Sequence, residues 1–144
     1  MIRFFIVFIG LLVYCIISFT HPAYASPNFS TTYDQTYNIN EDSSTTVTQT
    51  FTITNLTTEV LTDKSVIFLP FKDISNISAH DSSGPLKTQT SQTNSGLTLT
   101  VTFNSPAAGI EQKYSWVLLF KTSDLVKKYG FSSDIVLPQL QLSE

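Results

Sequence analysis

Nucleophilic catalysis needs a hydroxyl or thiol beside a base, and a further group that orients the base. One stretch of this sequence offers such residue types together: His80, Asp81 and the turn-forming run Ser82-Ser83-Gly84. Nothing in the spacing brings a third, orienting group to the imidazole, so the expected role of His80 is a solvated strand end. The two histidines and Cys15 do not have zinc spacing, and the acids do not follow the EF-hand pattern. Glu41 and Asp42 share one turn, and Asp34 or Asp134 brought beside them would make a calcium loop. The same residue types also build turns for their own sake. No catalytic residue, no metal and no cofactor is therefore expected. Trp116 is the single candidate for ligand binding. An indole in a groove stacks on sugar rings, whereas an indole in a small domain more often fills the core.

Charge narrows the partners. The chain has 8 Lys and Arg against 11 Asp and Glu, a formal net charge of −3, and its only arginine is Arg3. Nucleic-acid binding requires a basic footprint that displaces counterions, and this composition excludes it. Three Asn-x-Ser/Thr sequons, at Asn28, Asn55 and Asn76, are candidate glycan acceptors in a eukaryotic secretory route. A chain this rich in serine and threonine produces such triplets by chance, so they indicate no host.

The elements that would position these residues are strands. Val47, Phe51 and Ile53 share one parity with Gln49, and threonine occupies every second position from Thr46 to Thr54. Leu97, Leu99, Val101 and Phe103 alternate in the same way with Thr98, Thr100 and Thr102. A period of two sends the apolar set to one face of a sheet and the hydroxyls to the other, and β-branched threonine suits a half-exposed pleat. Further strands are expected at Phe29–Ile39, Val66–Pro70, Ile74–His80, Leu86–Thr90, Lys113–Lys121 and Phe131–Leu137. Lys113–Lys121 is apolar on both faces at its middle and is placed centrally, with Trp116 as the largest core side chain. Turn formers separate the strands at Asn40-Glu41-Asp42, Asp81 to Gly84, Asn94-Ser95-Gly96 and Pro106 to Gly109.

One short helix is expected near 124–129. Ser123 or Asp124 would cap it, Leu125, Val126 and Tyr129 would give it an apolar side, Lys127 and Lys128 would oppose its dipole, and Gly130 would end it. The fold class is thus all-β, an antiparallel two-sheet sandwich of 7–9 strands, immunoglobulin-like or related.

The N-terminus carries Arg3, an apolar run from Phe4 to Phe19, and Ala23-Tyr24-Ala25 as a small-x-small cleavage site. Residues 1–25 read as a signal peptide, or as a signal anchor if uncut. Cys15 follows bulky Leu12-Val13-Tyr14 rather than the small residues of a lipobox, and so belongs to the apolar run. The division expected is 1–25 signal or anchor, 26–138 sandwich, and 139–144 an exit linker or truncated end. The protein is expected outside the cytoplasm, secreted or held at the cell surface, touching membrane only through its N-terminal segment.

The aromatic strand Lys113-Tyr114-Ser115-Trp116-Val117-Leu118-Leu119-Phe120, the following Lys121 to Gly130 segment and Ile135-Val136-Leu137-Pro138 occur in a characteristic order. Tyr33-Asp34-Gln35-Thr36-Tyr37 precedes the threonine-rich Thr45 to Asn55. In these features the chain resembles the N-terminal β-sandwich domain of exported, membrane-anchored transglutaminase-like proteins of small-genome bacteria. The resemblance implies an accessory, spacing or docking module beside a downstream or neighbouring catalytic domain. That family's Cys-His-Asp chemistry lies in a later domain, and no position here matches it. The alternative expectation is an adhesion module holding a glycan or protein ligand, with Trp116 or the hydroxyl-lined strand faces in contact.

Overall fold

The computed structural model describes residues 28–58, 62–138 and 141–142. The signal or anchor at 1–25, including Cys15, and part of the exit segment lie outside the described residues. Eleven strands follow in chain order: β1 Phe29–Ile39, β2 Thr45–Asn55, β3 Thr62–Leu69, β4 Ile74–Asp81, β5 Gly84–Pro85, β6 Lys87–Thr93, β7 Gly96–Ala107, β8 Lys113–Thr122, β9 Val126–Tyr129, β10 Ser132–Ile135 and β11 Gln141–Leu142. Every pairing is antiparallel. One sheet has the order β1-β2-β8-β4-β5, the second β11-β3-β7-β6, and β9 and β10 form a separate hairpin.

The period of two read from the sequence becomes burial. In β2 the odd positions Thr45 to Asn55 are all buried while the intervening threonines are half-buried. Val47, Phe51 and Ile53 meet Trp116, Leu118 and Phe120 of β8, Ile67 and Leu69 of β3, and Leu97, Leu99, Val101 and Phe103 of β7 in a single core. Two antiparallel sheets sharing one dry interior make a sandwich. Central placement of the Trp116 strand agrees with the sheet order. Phe71 and Leu125 close one end of the core, Phe71 with its ring 5.5 Å from that of Phe120.

Three of the four expected turns sit at their polar clusters; at the fourth, Pro106 and Ala107 end β7 and the turn falls at 109–112, where the Gln112 amide donates to the Gly109 carbonyl. Asn40 N–H donates to the Ser44 carbonyl and Ser43 N–H to the Asn40 carbonyl, closing the β1–β2 connection with Ser43 at φ 68°. Gly96 begins β7 where a Cβ would stand 2.3 Å from the Leu69 carbonyl oxygen, so only glycine fits. Asn76, at φ 54°, lies in a bulge of β4, where Asn76 and Ile77 oppose one residue of β8.

The helix expected near 124–129 is absent from the described residues: Val126–Tyr129 is a strand hydrogen-bonded to Ser132–Ile135. Asp124 does not cap its own segment; its carboxylate accepts the amides of Lys72 at 2.5 Å and Asp73 at 3.0 Å in a neighbouring loop. Gly130 has φ 60°, the positive value that a helix C-cap and the first central position of a two-residue hairpin turn both require. With only Leu125 to Tyr129 available, one helical turn would not repay nucleation, whereas the hairpin pairs four residues. The expected strand Phe131–Leu137 shortens accordingly to Ser132–Ile135 and lies outside both sheets.

Candidate functional site

Trp116, the ligand candidate, is 1% exposed. It faces Phe51 across β2 and β8, and the two rings stack with centroids 4.4 Å apart and 14° between planes. Phe103 packs 6.2 Å away on the other side of the core, and itself stands 4.4 Å from the Tyr114 ring. No sugar ring reaches an indole placed there. Its Nε1 is buried without a hydrogen-bond partner, as are both side-chain polar atoms of Gln49.

His80 is exposed at the end of β4, opposite Val117 and Pro85. Its neighbour Asp81 is committed elsewhere. The Asp81 carboxylate accepts the Tyr114 hydroxyl at 2.5 Å, Asn104 Nδ2 at 3.1 Å, and the turn amides of Ser83 at 2.7 Å and Gly84 at 3.0 Å. The bond from Tyr114, with the smaller contributions of Asn104 and the amides, holds the Asp81 carboxyl below its ordinary range. Burial, and donation to Asp81, push the Tyr114 phenol up. This cluster pins the β4–β5 turn to β8 and β7; it presents no base to a hydroxyl nucleophile.

The acidic turn has a similar part. Asp42 accepts the Ser44 hydroxyl at 2.5 Å and the Ser44 amide at 3.0 Å, and pairs with Lys121 Nζ at 3.1 Å. Ser44 first, and then Lys121, hold its carboxyl at about 2. Asp34 lies mid-strand in β1 and Asp134 in β10, so the four acids weighed for calcium do not gather. Among the described residues no group of three or more His, Cys, Asp or Glu side chains could hold a metal ion. Of the sequons, Asn28 and Asn76 are exposed, but Asn55 is fully buried and its Oδ1 accepts the Thr57 amide at 2.9 Å.

What stands open is one side of the first sheet. Its outer face carries hydroxyls, Ser30, Thr32 and Thr36 on β1, Thr48, Thr50 and Thr52 on β2, and Ser115 on β8, with Thr52 and Ser115 bonded at 2.9 Å, and beside them the half-buried Val117 and Leu119 of β8 opposite Thr50 and Thr48. β1 is the edge of that sheet, and among the described residues no strand pairs with its outer side. The Leu56 amide donates to the Asn28 carbonyl at 2.9 Å. In an antiparallel ladder such exchange alternates, so even-numbered residues of β1 bond to β2, and the odd ones aim N–H and C=O outward. The same odd side chains face the interior: Tyr33 lies opposite Phe51, rings 6.1 Å apart, and Tyr37 opposite Val47. Tyr33 remains 40% exposed, so the row Tyr33-Phe51-Trp116 opens at the edge. Alternation predicts this strand but not its edge position, because eleven residues without proline and with a single charge, Asp34, carry few of the marks by which edges are usually told from central strands.

A second open surface is the β9–β10 hairpin, where Phe131 is fully exposed at the tip and Tyr129, Ile135, Val136 and Leu137 are all more than half exposed.

No family model matches the chain, and no curated protein matches it. Among solved structures it is similar to that of yeast LTA4 hydrolase in complex with bestatin, with a TM-score of 0.52 and 16% identity over 76% of this chain. The chain spans 18% of that protein. At this identity the likeness is one of fold alone.

Proposed function

We propose that the protein is a non-catalytic, extracytoplasmic sandwich module that docks or spaces a neighbouring domain at the cell surface. One observation carries this reading: Trp116 is held in the core and Asp81 in its bond to Tyr114, while among the described residues no strand pairs with the outer edge of β1. The N-terminal Arg3, apolar run and Ala23-Tyr24-Ala25 support export. The resemblance to domains preceding transglutaminase-like enzymes supports a catalytic neighbour, in the same polypeptide or another.

The test is topological. Full-length chain with an epitope after Glu144, produced in a secreting host, should lose the epitope when intact cells are treated with protease. An epitope protected until the cells are lysed would overturn the reading.

The rival adhesion reading is answered on a glycan array. A glycan bound by the wild type and lost in a folded Trp116→Ala variant would favour it, and the burial of Trp116 argues for the opposite result.

A further inference from the structure

We propose that the edge of β1, unpaired among the described residues, receives an extended segment of a second polypeptide, apolar opposite Tyr33 and Tyr37 and basic opposite Asp34. This rests on the docking reading above and names the chemistry of the partner.

Three observations converge on it. First, the edge runs eleven residues without proline, with the N–H and C=O groups of its odd residues directed outward, the arrangement that strand addition uses. Second, the inner-face rows that cross the sheet stop short at β1. Tyr33 ends the Tyr33-Phe51-Trp116 row with 40% of its surface open, and Ile39 is 44% open. An added strand would place a side chain beside Tyr33 and continue the row, as cross-strand pairs do. Third, the only charge on β1 is Asp34, at its centre.

That central acid selects the occupant. A second copy pairing along the full antiparallel edge would set Asp34 directly opposite Asp34. Because even residues already bond to β2, this would be a non-hydrogen-bonded pair, the kind in which side chains stand closest. Like charges there are destabilising, and an opposite charge is favourable. The full antiparallel register is therefore disfavoured for a second copy, and the edge is complementary to a strand with lysine or arginine at that point.

The test uses the full-length chain in detergent micelles and a fluorescein-labelled probe. The probe is an eleven-residue peptide alternating valine and threonine, lysine at its sixth position, with a polyethylene glycol tail for solubility; a twin has aspartate in place of the lysine. In fluorescence anisotropy the lysine peptide should bind about fivefold tighter than its twin, and Asp34→Lys should reverse the order. Thr31→Pro removes an outward N–H without touching the β2 ladder and should abolish binding while the melting curve stays cooperative. Equal binding of the two peptides, binding unaffected by Thr31→Pro, or no binding at all would overturn the proposal. So would a dimer of the wild type lost in Thr31→Pro, or binding gained only when residues 1–25 are removed, since either makes the chain its own occupant. Surface exposure of the C-terminal epitope without peptide binding would leave the module reading standing and remove this one.

Discussion

Phe51 and Trp116 stand directly opposite each other on β2 and β8 and stack at 4.4 Å with both rings sealed from solvent. A contact of this kind makes Trp116 a packing residue. Trp116→Ala should cost about 3–5 kcal/mol of stability, read as a lower denaturant midpoint. Trp116→Phe, which keeps a ring against Phe51, should cost clearly less. Equal loss from both variants would show that the stack contributes nothing.

Gln49 lies in the same face of β2 with both polar atoms buried and without partners. An unsatisfied buried amide is destabilising, and an apolar side chain of similar shape removes that cost. Gln49→Met should raise stability by about 1–3 kcal/mol, with the slope of the denaturant transition unchanged. A drop in stability would mean that the amide is satisfied in solution.

Two carboxyls set the acid limb of stability. The Asp42 carboxyl is lowered from 3.8 to about 2 by Ser44 and Lys121, and Asp81 is lowered mainly by Tyr114. A depressed folded pKa means that the contribution is complete above the unfolded value and disappears as pH falls through the folded one. Melting temperature should therefore fall between about pH 4 and pH 2, and Asp42→Asn should flatten part of that fall.

Tyr114 acts at the other end of the scale. Its phenol is raised above 10.0 in the folded state, so its contribution is present below that pH and is lost as the hydroxyl ionises above it. Tyr114→Phe should lower the melting temperature at neutral pH and weaken both the alkaline loss and the acid loss that depends on Asp81. Unchanged profiles would show that the Asp81 bond is not kept in solution.

The hairpin separates exposure from burial within seven residues. Phe131→Ser, at the open tip, should change stability by no more than about 0.5 kcal/mol. Leu125→Ala, at a position 2% exposed, should cost about 2–5 kcal/mol. A large effect of Phe131→Ser would reveal that the tip is covered by a partner.

Strands with strict alternation were legible from the sequence because parity alone decides which side is dry. Phe29–Ile39 was expected with the bounds that it has, and β2, β4 and β8 differ from expectation by one or two residues. The segment after Thr122 reads as a capped helix because Leu125, Val126, Tyr129 and Gly130 fit the pattern of a capped helix as well as that of a strand with a tight turn. Its few residues do not offset the cost of helix nucleation, and Asp124, the expected cap, bonds instead to the Lys72 and Asp73 amides, a contact no local pattern announces. Likewise the edge position of β1 and the bond of Asp81 to Tyr114 depend on which strands become neighbours. Alternation says that a strand exists, but not who lies beside it.

The pairing of β2 with β8 also bears on the order of assembly. Hairpins such as β1–β2 and β6–β7 join neighbours in sequence and can close as soon as they emerge. The centre of the first sheet waits for Thr122 to meet Thr45, a long loop whose closure delays folding. Until that late strand arrives, the earlier hairpins have no finished interior between them, so the core forms only when the last third of the sandwich joins the first.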